Sequence, residues 1–340
     1  MEKLVSIITP SFNHGHYISR LLDSVMNQTY LNIEMFVIDD GSTDNTKDIV
    51  EQYIEKFTKV GKKLKYIYQE NLGLPGAINT GLRNISGEYL VWPDADDWYN
   101  SDTAIADLVE IFEKSPESVG IVRGLMYYRR EKDLNIIRKR VEDNGTYPKK
   151  LFEQCMFGSD GWWYAAGCNM VKTEHLFYYY PNREIFWRSY FGQNIQLQFP
   201  ILYDYDCITI NKYIHNILID RNSDSRKKYS YYENIKRQEG IKKMRIAVLD
   251  VTKNMPAYEK EQFIKKINLV FNVRSIIYAL NAKEKNDVKF YYLNLYNNYP
   301  ENAKRFKFQY LLSQIPCGFI IYRCGQFIVH IKRHILKDVK

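Results

Sequence analysis

The hydrophobic pattern of the first hundred residues alternates between two periods. Residues 4–9 are apolar and β-branched and stop at Pro10, which reads as a buried strand. After the loop-forming Ser11, Phe12, Asn13, His14 and Gly15, the residues Ile18, Leu21, Leu22, Val25 and Met26 fall on one helical face. Residues 34–38 repeat the strand pattern and end in Asp39, Asp40 and Gly41. Asp44 or Asn45 is then placed to cap a helix running to about Phe57. Residues 64–69 give a third strand, a glycine-bearing loop leads to a helix near Pro75, and residues 89–92 give a fourth strand. Strands and helices alternating across short connections predict an α/β doubly wound sheet.

The fourth strand runs into Asp94, Ala95, Asp96 and Asp97, ahead of a helix expected near Ser101. Ligands of open α/β sheets bind outside the carboxyl ends of the strands. Carboxylates this close repel one another unless a cation neutralises them, and a hard ion such as Mg2+ or Mn2+ suits oxygen ligands. An acidic turn capping the next helix is the plainer alternative. The loop after the third strand has neither the Gly-Lys-Ser/Thr of a P-loop nor a GxGxxG arrangement, so it points to neither phosphate-binding motif.

Three segments, 5–13 (Val-Ser-Ile-Ile-Thr-Pro-Ser-Phe-Asn), 38–44 (Ile-Asp-Asp-Gly-Ser-Thr-Asp) and 94–97 (Asp-Ala-Asp-Asp), together resemble family 2 glycosyltransferases over roughly residues 3–220. The resemblance implies a GT-A-type (Rossmann-like) mixed sheet and an inverting enzyme that uses a nucleotide-sugar donor, a UDP-sugar first of all. It implies that Pro10, Phe12 and Asn13 border the donor base, that Asp40 accepts from the base edge, and that Asn79, Asp94 and Ala95 lie along the ribose and sugar, with packing of its helix the alternative for Asn79. Asp96 and Asp97 would hold Mn2+ or Mg2+, with Asp96 thereby taking part in catalysis. Many members carry a Glu-Asp pair as the base; the matching stretch here has Gln193 and Asn194, and an amide is no base near neutral pH. Asp160, beside Trp162 and Trp163, is a candidate substitute base, with Glu184, Asp204 and Asp206 as alternatives; an ordinary loop acid is its plainer reading. The two tryptophans, Gln193 and Asn194 would face the acceptor, a saccharide that is free, lipid-linked or protein-linked. The missing pair leaves a second reading, a non-catalytic GT-A module that binds partner enzymes or glycans.

The rest of the chain changes the picture in four ways. Residues 1–225 make the expected GT-A domain, with a donor half to about 125, an acceptor half from 126, and a charged stretch over 127–147 that suits a hairpin or flap. Residues 226–340 show helical spacing of apolar positions and predict an appended α-helical region, a candidate for homo-oligomer contacts. Residues 317–337 mix apolar and basic positions too interrupted for a membrane span; they suit either the surface of an anionic membrane or a subunit contact. A net charge of +8 accords with the former, and nothing points to nucleic acid. With no leader ahead of the first strand and five cysteines without zinc or disulfide spacing, the expected setting is cytoplasmic, free or peripheral on the inner membrane face.

Overall fold

The computed structural model describes residues 2–139, 145–147, 151–158, 165–186, 192–219 and 228–315. Two compact units emerge: residues 1–227 with 251–254, and residues 228–250 with 255–340.

The first unit begins as the hydrophobic pattern predicts. Strand β1 (Val5–Ser11) leads to helix α1 (Ile18–Met26), β2 (Ile33–Asp39), α2 (Thr46–Lys59), β3 (Lys63–Tyr68), α3 (Leu74–Asn84) and β4 (Tyr89–Val91). Short β5 (Trp98–Tyr99) precedes α4 (Ala104–Lys114), long β6 (Val119–Arg130), β7 (Ile136–Lys139), β8 (Gly145–Tyr147) and α5 (Leu151–Phe157). The unit closes with β9 (Asn169–Lys172), α6 (Thr173–Tyr179), α7 (Gln193–Asp204) and β10 (Asp206–Ile219). One mixed sheet runs β3-β2-β1-β4-β9-β6-β10-β5, with β7 on β6 and β8 on β10. Strands β3, β2, β1 and β4 are parallel, and β9 enters antiparallel between β4 and β6.

Strand β1 alternates between two cores. Val5 and Ile7 pack with Leu21, Leu22, Val25, Val50 and Phe57 from α1 and α2. Ile8 faces the other way, toward α3, where a Cβ on Gly81 would come within 2.4 Å of Ile8 Cγ2. Only glycine admits so close a helix-to-strand approach. The strand also continues through Pro10 instead of stopping there. Ser11 O accepts from Asp40 N on the β2 side, so the neighbouring Pro10 presents its amide position to the β4 side. Pairing with β4 ends at Ile7, and the missing N–H therefore leaves no ladder bond unmade. At the opposite end of the sheet, buried Glu34 accepts from Ser6 Oγ at 2.6 Å, Ser86 N at 2.6 Å and Gly87 N at 3.1 Å.

His175 of α6 is buried with its ring stacked on Tyr205 at 3.8 Å. Burial, with the Lys172 charge adding and Glu174 opposing, lowers its pKa from 6.5 to about 4. Between those values the unfolded chain binds the proton that the folded chain refuses, so stability falls as pH drops. Urea midpoints measured from about pH 7 to about pH 4.5 should fall less steeply in His175→Phe than in the parent; equal slopes would remove His175 from the acid response.

The second unit is helical: α8 (Tyr231–Val251), α9 (Ala257–Ala282), α10 (Lys285–Asn298), α11 (Pro300–Lys304) and α12 (Lys307–Gln314). Its core joins Ile276, Ala279 and Leu280 of α9 with Val288, Tyr291, Tyr292 and Leu295 of α10 and Phe306. Lys283 ends α9 at φ +65°, its N–H donating to Leu280 O and that of Glu284 to Ala279 O. This is a Schellman turn, which satisfies the last carbonyls of the helix. Tyrosines here pack: the Tyr292 and Tyr310 rings stack at 4.1 Å and the Tyr231 hydroxyl donates to Asp287 at 2.7 Å. Among the described residues no helix is long and apolar enough to cross a membrane, and the segment 317–337 lies outside them.

Candidate active site

Strands β1, β2 and β4 end on one edge of the sheet, and the loops that follow are tied together. Asn13, at φ +56°, donates its N–H to Ser42 Oγ at 2.8 Å, and its Oδ1 accepts from Thr43 N at 2.8 Å. His14 N donates to Thr46 Oγ1 at 3.1 Å, and Gly15 N to Asp44 Oδ2 at 2.9 Å. Asp44 Oδ1 takes the Thr46 N–H at 3.0 Å, so this carboxylate serves the start of α2 while the Asn45 side chain makes no cap bond. Burial pushes the Asp44 carboxyl up, but hydrogen bonds from the Thr46 hydroxyl, Gly15 N–H and Thr46 N–H outweigh it and hold the pKa below the ordinary aspartate value. Asn13 is thus occupied in fastening the two loops, whereas Phe12 beside it is 47% exposed and presents its ring.

The two aspartates that end β2 have different duties. Asp39 is a turn residue: its Oδ1 accepts from Ser42 N at 2.8 Å and its Oδ2 from the Tyr66 hydroxyl at 2.6 Å. Asp40 is buried, and its Oδ1 accepts from Gln69 Nε2 at 2.6 Å and Leu72 N at 2.9 Å. Both bonds draw the loop 69–73 over it, and Gly41, at φ +87°, makes the turn beneath Asn71. Asp40 Oδ2 has no hydrogen-bond partner among the described residues. Two buried hydroxyls on β1, Thr9 Oγ1 and Ser11 Oγ, also have none. Asn79 takes the packing alternative. Its Nδ2 donates to Ile185 O at 3.0 Å and its Oδ1 accepts from Ile185 N at 2.8 Å. The whole amide clamps α3 to a distant backbone segment, in place of a donor contact.

The acidic segment follows β4. Ala95 and Asp97 are buried, while Asp94 and Asp96 are half-buried. Asp97 Oδ1 accepts from Leu218 N at 2.9 Å, and its Oδ2 lies 3.5 Å from His215 Nε2. His215 is fully buried, edge-on to Tyr99 at 5.4 Å, and covered by Gly167, where any Cβ would strike the imidazole. Burial lowers its pKa to about 3 against the opposing Asp96 charge, so it stays neutral and offers Asp97 no countercharge. Desolvation, with the Asp97 and Asp96 charges, drives the Asp94 carboxyl well above its usual range. Desolvation and Asp96 do the same to Asp97, with the Leu218 N–H opposing. No three metal-ligating side chains converge among the described residues. A Mg2+-type ion needs no such cage: it commonly takes one or two carboxylates and fills its shell with water and substrate phosphates. Three carboxylates that repel one another, two of them driven toward protonation by burial, therefore suit a divalent ion that would neutralise them.

On the far side, Asn194 Oδ1 accepts from Trp92 Nε1 at 2.7 Å, which brings the start of α7 against the end of β4. Gln193 is buried just after Gly192, whose φ of +100° admits the turn into the helix. Gln196 Oε1 and Nε2 pair with the backbone N–H and carbonyl of Phe186 at 2.7 and 2.9 Å. Asp204 accepts from the Tyr179 hydroxyl, Asp206 opens β10, and Glu184 is exposed. Asp160, Trp162 and Trp163 lie outside the described residues.

Residues 6–177 match Glycosyl transferase family 2. The chain belongs to that family. Over 102 residues it is 41% identical to the glycosyltransferase GlyA of Streptococcus pneumoniae, covering 30% of this chain and 14% of the relative. Over 115 residues it is 37% identical to TuaG of Bacillus subtilis, a putative teichuronic acid biosynthesis glycosyltransferase, covering 34% of this chain and 44% of the relative. The chain thus matches less than half the length of these relatives. Among solved structures, Staphylococcus aureus TarS 1–349 in complex with UDP-GlcNAc aligns with a TM-score of 0.59 at 16% identity, over 95% of this chain and 92% of that one. The mannosyltransferase PcManGT of Pyrobaculum calidifontis, in complex with GDP-Man and Mn2+, aligns at 0.53 and 16% identity, over 94% and 86%. These likenesses establish the fold, a GT-A-type mixed sheet with a helical C-terminal region.

Sequence reasoning missed the Leu218 N–H, Gln69 and Tyr66, which hold acidic residues of the site in place, and His215, which packs beside Asp97. Gln69 and Tyr66 lie on or beside a recognised strand, and their proximity to Asp39 and Asp40 follows from β2–β3 pairing. His215 and Leu218 had no local signal, because β10 reaches Asp97 from 121 residues away.

Proposed function

We propose that this family 2 glycosyltransferase transfers a sugar from a UDP-sugar, with Mn2+ or Mg2+, to a saccharide acceptor, with inversion at the anomeric carbon. The observation that carries the reading is Asp40: one carboxylate oxygen is fixed by Gln69 and Leu72, and the other has no hydrogen-bond partner among the described residues. An ionised carboxylate only accepts hydrogen bonds, which suits the N3–H of uracil. Phe12, exposed at the same edge, supplies a ring face for the base, with Pro10 behind it. Asp94 and Ala95 border the ribose and sugar, and Asp96 with Asp97 would hold the metal. The bound ion would neutralise charge on the departing diphosphate. The TarS complexes contain UDP or UDP-GlcNAc and the PcManGT complex contains Mn2+, which supports the same donor class and metal here.

In this reading Asp160 takes the proton of the acceptor hydroxyl as its oxygen bonds the anomeric carbon and the bond to the diphosphate breaks. Gln193, Asn194, Trp162 and Trp163 line the acceptor side, and the acceptor belongs to a surface polysaccharide or glycoprotein. The setting is cytoplasmic, with residues 317–337 meeting an anionic membrane surface.

Calorimetry of UDP, GDP and dTDP in the presence of Mn2+, beside a hydrolysis screen of nucleotide sugars, tests the proposal. UDP should bind tightest and one UDP-sugar should be hydrolysed. Tighter GDP or dTDP binding would overturn the base assignment, and UDP binding without turnover of any donor would favour the non-catalytic module.

A further inference from the structure

Strands β6 and β7 form a hairpin whose side chains have no part in the donor site. Between Tyr127 and Lys139 it carries five cationic and two acidic residues. Both acids are engaged: Glu131 accepts from the Tyr17 hydroxyl at 2.6 Å, and Asp133 lies 3.4 Å from Arg130 Nε and accepts from Asn135 N at 3.1 Å. Arg129 is engaged as well, donating from Nε to Asn216 at 2.7 Å and from Nη1 to Leu134 O at 3.1 Å. Lys132, Arg138 and Lys139 are exposed and form no ion pair among the described residues. The surplus positive charge therefore stands outward.

The hairpin also stands at the reaction edge. In β6 and β10, Arg129 pairs with Leu218, whose N–H holds Asp97, so the hairpin springs from the strand next to the metal carboxylates. At its tip, the Tyr17–Glu131 bond fastens it beside the loop that carries Phe12 and Asn13. A charged surface anchored at both ends of the donor site borders the space an acceptor must enter.

We infer that this hairpin is an acceptor-binding surface for an anionic glycan, a chain bearing phosphodiester or carboxylate groups; the inference rests on the acceptor side of the function proposed above. Arg138 Cζ lies 3.8 Å from the centre of the Tyr128 ring, in register with it, and its guanidinium forms no ion pair among the described residues, which leaves N–H groups for a phosphate or carboxylate. Lys139, opposite Tyr127, adds a second cation on the other face of the two-stranded ribbon, and Lys132 a third at the turn, so the charges flank its free edge. Ile136 and Ile137, both 46% exposed, provide apolar surface between the charges for the C–H faces of sugar rings. Single-stranded nucleic acid fits less well, because it needs open aromatic faces on which to stack. Tyr127 is stacked on Tyr213 at 4.2 Å and Tyr128 is covered by Arg138.

The test measures binding of three labelled oligomers of equal length to the full chain: a glycerol-phosphate oligomer, an oligogalacturonate and a neutral maltodextrin. Lys132→Gln/Arg138→Gln/Lys139→Gln is compared with Lys47→Gln/Lys59→Gln/Lys114→Gln, which removes equal charge from exposed helix positions. Arg138→Gln alone serves should the hairpin triple variant not fold. One of the two anionic oligomers should bind, identifying the charged group, and the hairpin substitutions should weaken it at least about tenfold while the control changes it less than about twofold. Equal loss in both variants, no binding of either anionic oligomer, tighter binding to a single-stranded oligonucleotide than to either glycan, or a larger loss of anionic-vesicle binding than of glycan binding on hairpin substitution overturns the inference. UDP affinity is read on the same preparations, so the nucleotide assignment is judged separately.

Discussion

Asp96→Asn should lower transfer or donor hydrolysis at least about 100-fold while leaving the metal-free protein as stable as the parent or more so. The substitution keeps the shape of the side chain and removes one negative charge. In the metal-free chain, Asp94 and Asp97 are both pushed toward protonation by burial and by Asp96, so deleting that charge relieves repulsion. If Asp96 holds a Mn2+ or Mg2+ ion as proposed, the same deletion would weaken its binding and leave the diphosphate poorly neutralised. Activity and stability therefore move in opposite directions, which loss of folding would not produce. Mn2+ titration calorimetry, steady-state hydrolysis and a thermal melt in EDTA report the three quantities. Unchanged turnover in the variant, or full turnover of the parent in EDTA, would defeat the metal assignment.

Asp40→Asn is the second substitution with a large expected effect, and here UDP affinity should fall about tenfold or more. Asparagine can keep Oδ1 as the acceptor for Gln69 and Leu72, so the loop 69–73 keeps its anchor. The position of Oδ2 becomes an amide that donates, and it then faces the N3–H of uracil as donor against donor. The base is remote from the bond that breaks, so the contact is equal in ground and transition states and the loss should appear in KM with kcat little changed. Glutamine at Asp39 would test nothing comparable, since both oxygens of that carboxylate already serve Ser42 and Tyr66. A variant that binds UDP as the parent does would take the base away from Asp40.

The parts legible in the sequence are those built by neighbours along the chain. Strands β1 to β4 and helices α1 to α3 declare themselves because each buries a face whose period lies within ten or so residues of sequence. The acidic segment was legible for the same reason, as a strand followed at once by carboxylates. Long-range pairing hid the remainder. Strand β10 is long and its burial pattern is broken by exposed Asn211 and Lys212, with register shifts against β6, so no simple alternation marks it. Asn79 shows the cost of reading a side chain from its place in a motif. Its partner, Ile185, is 106 residues away, and only the folded chain shows that the amide is already spent.

The bond from Leu218 to Asp97 comes from the main chain, and this sets what substitution can do there. Any residue other than proline at position 218 supplies the same N–H, so the anchor of the buried carboxylate is indifferent to side-chain drift on that strand. Leu218 and Arg129 sit side by side in the register, so side chains on these two neighbouring strands can change without touching the atom that holds Asp97. A library randomised over Ile217, Leu218 and Ile219 should therefore be poor in proline at the middle position and permissive elsewhere, so far as packing allows. The architecture separates a part that must be inherited as backbone from a part that is free to vary as side chains.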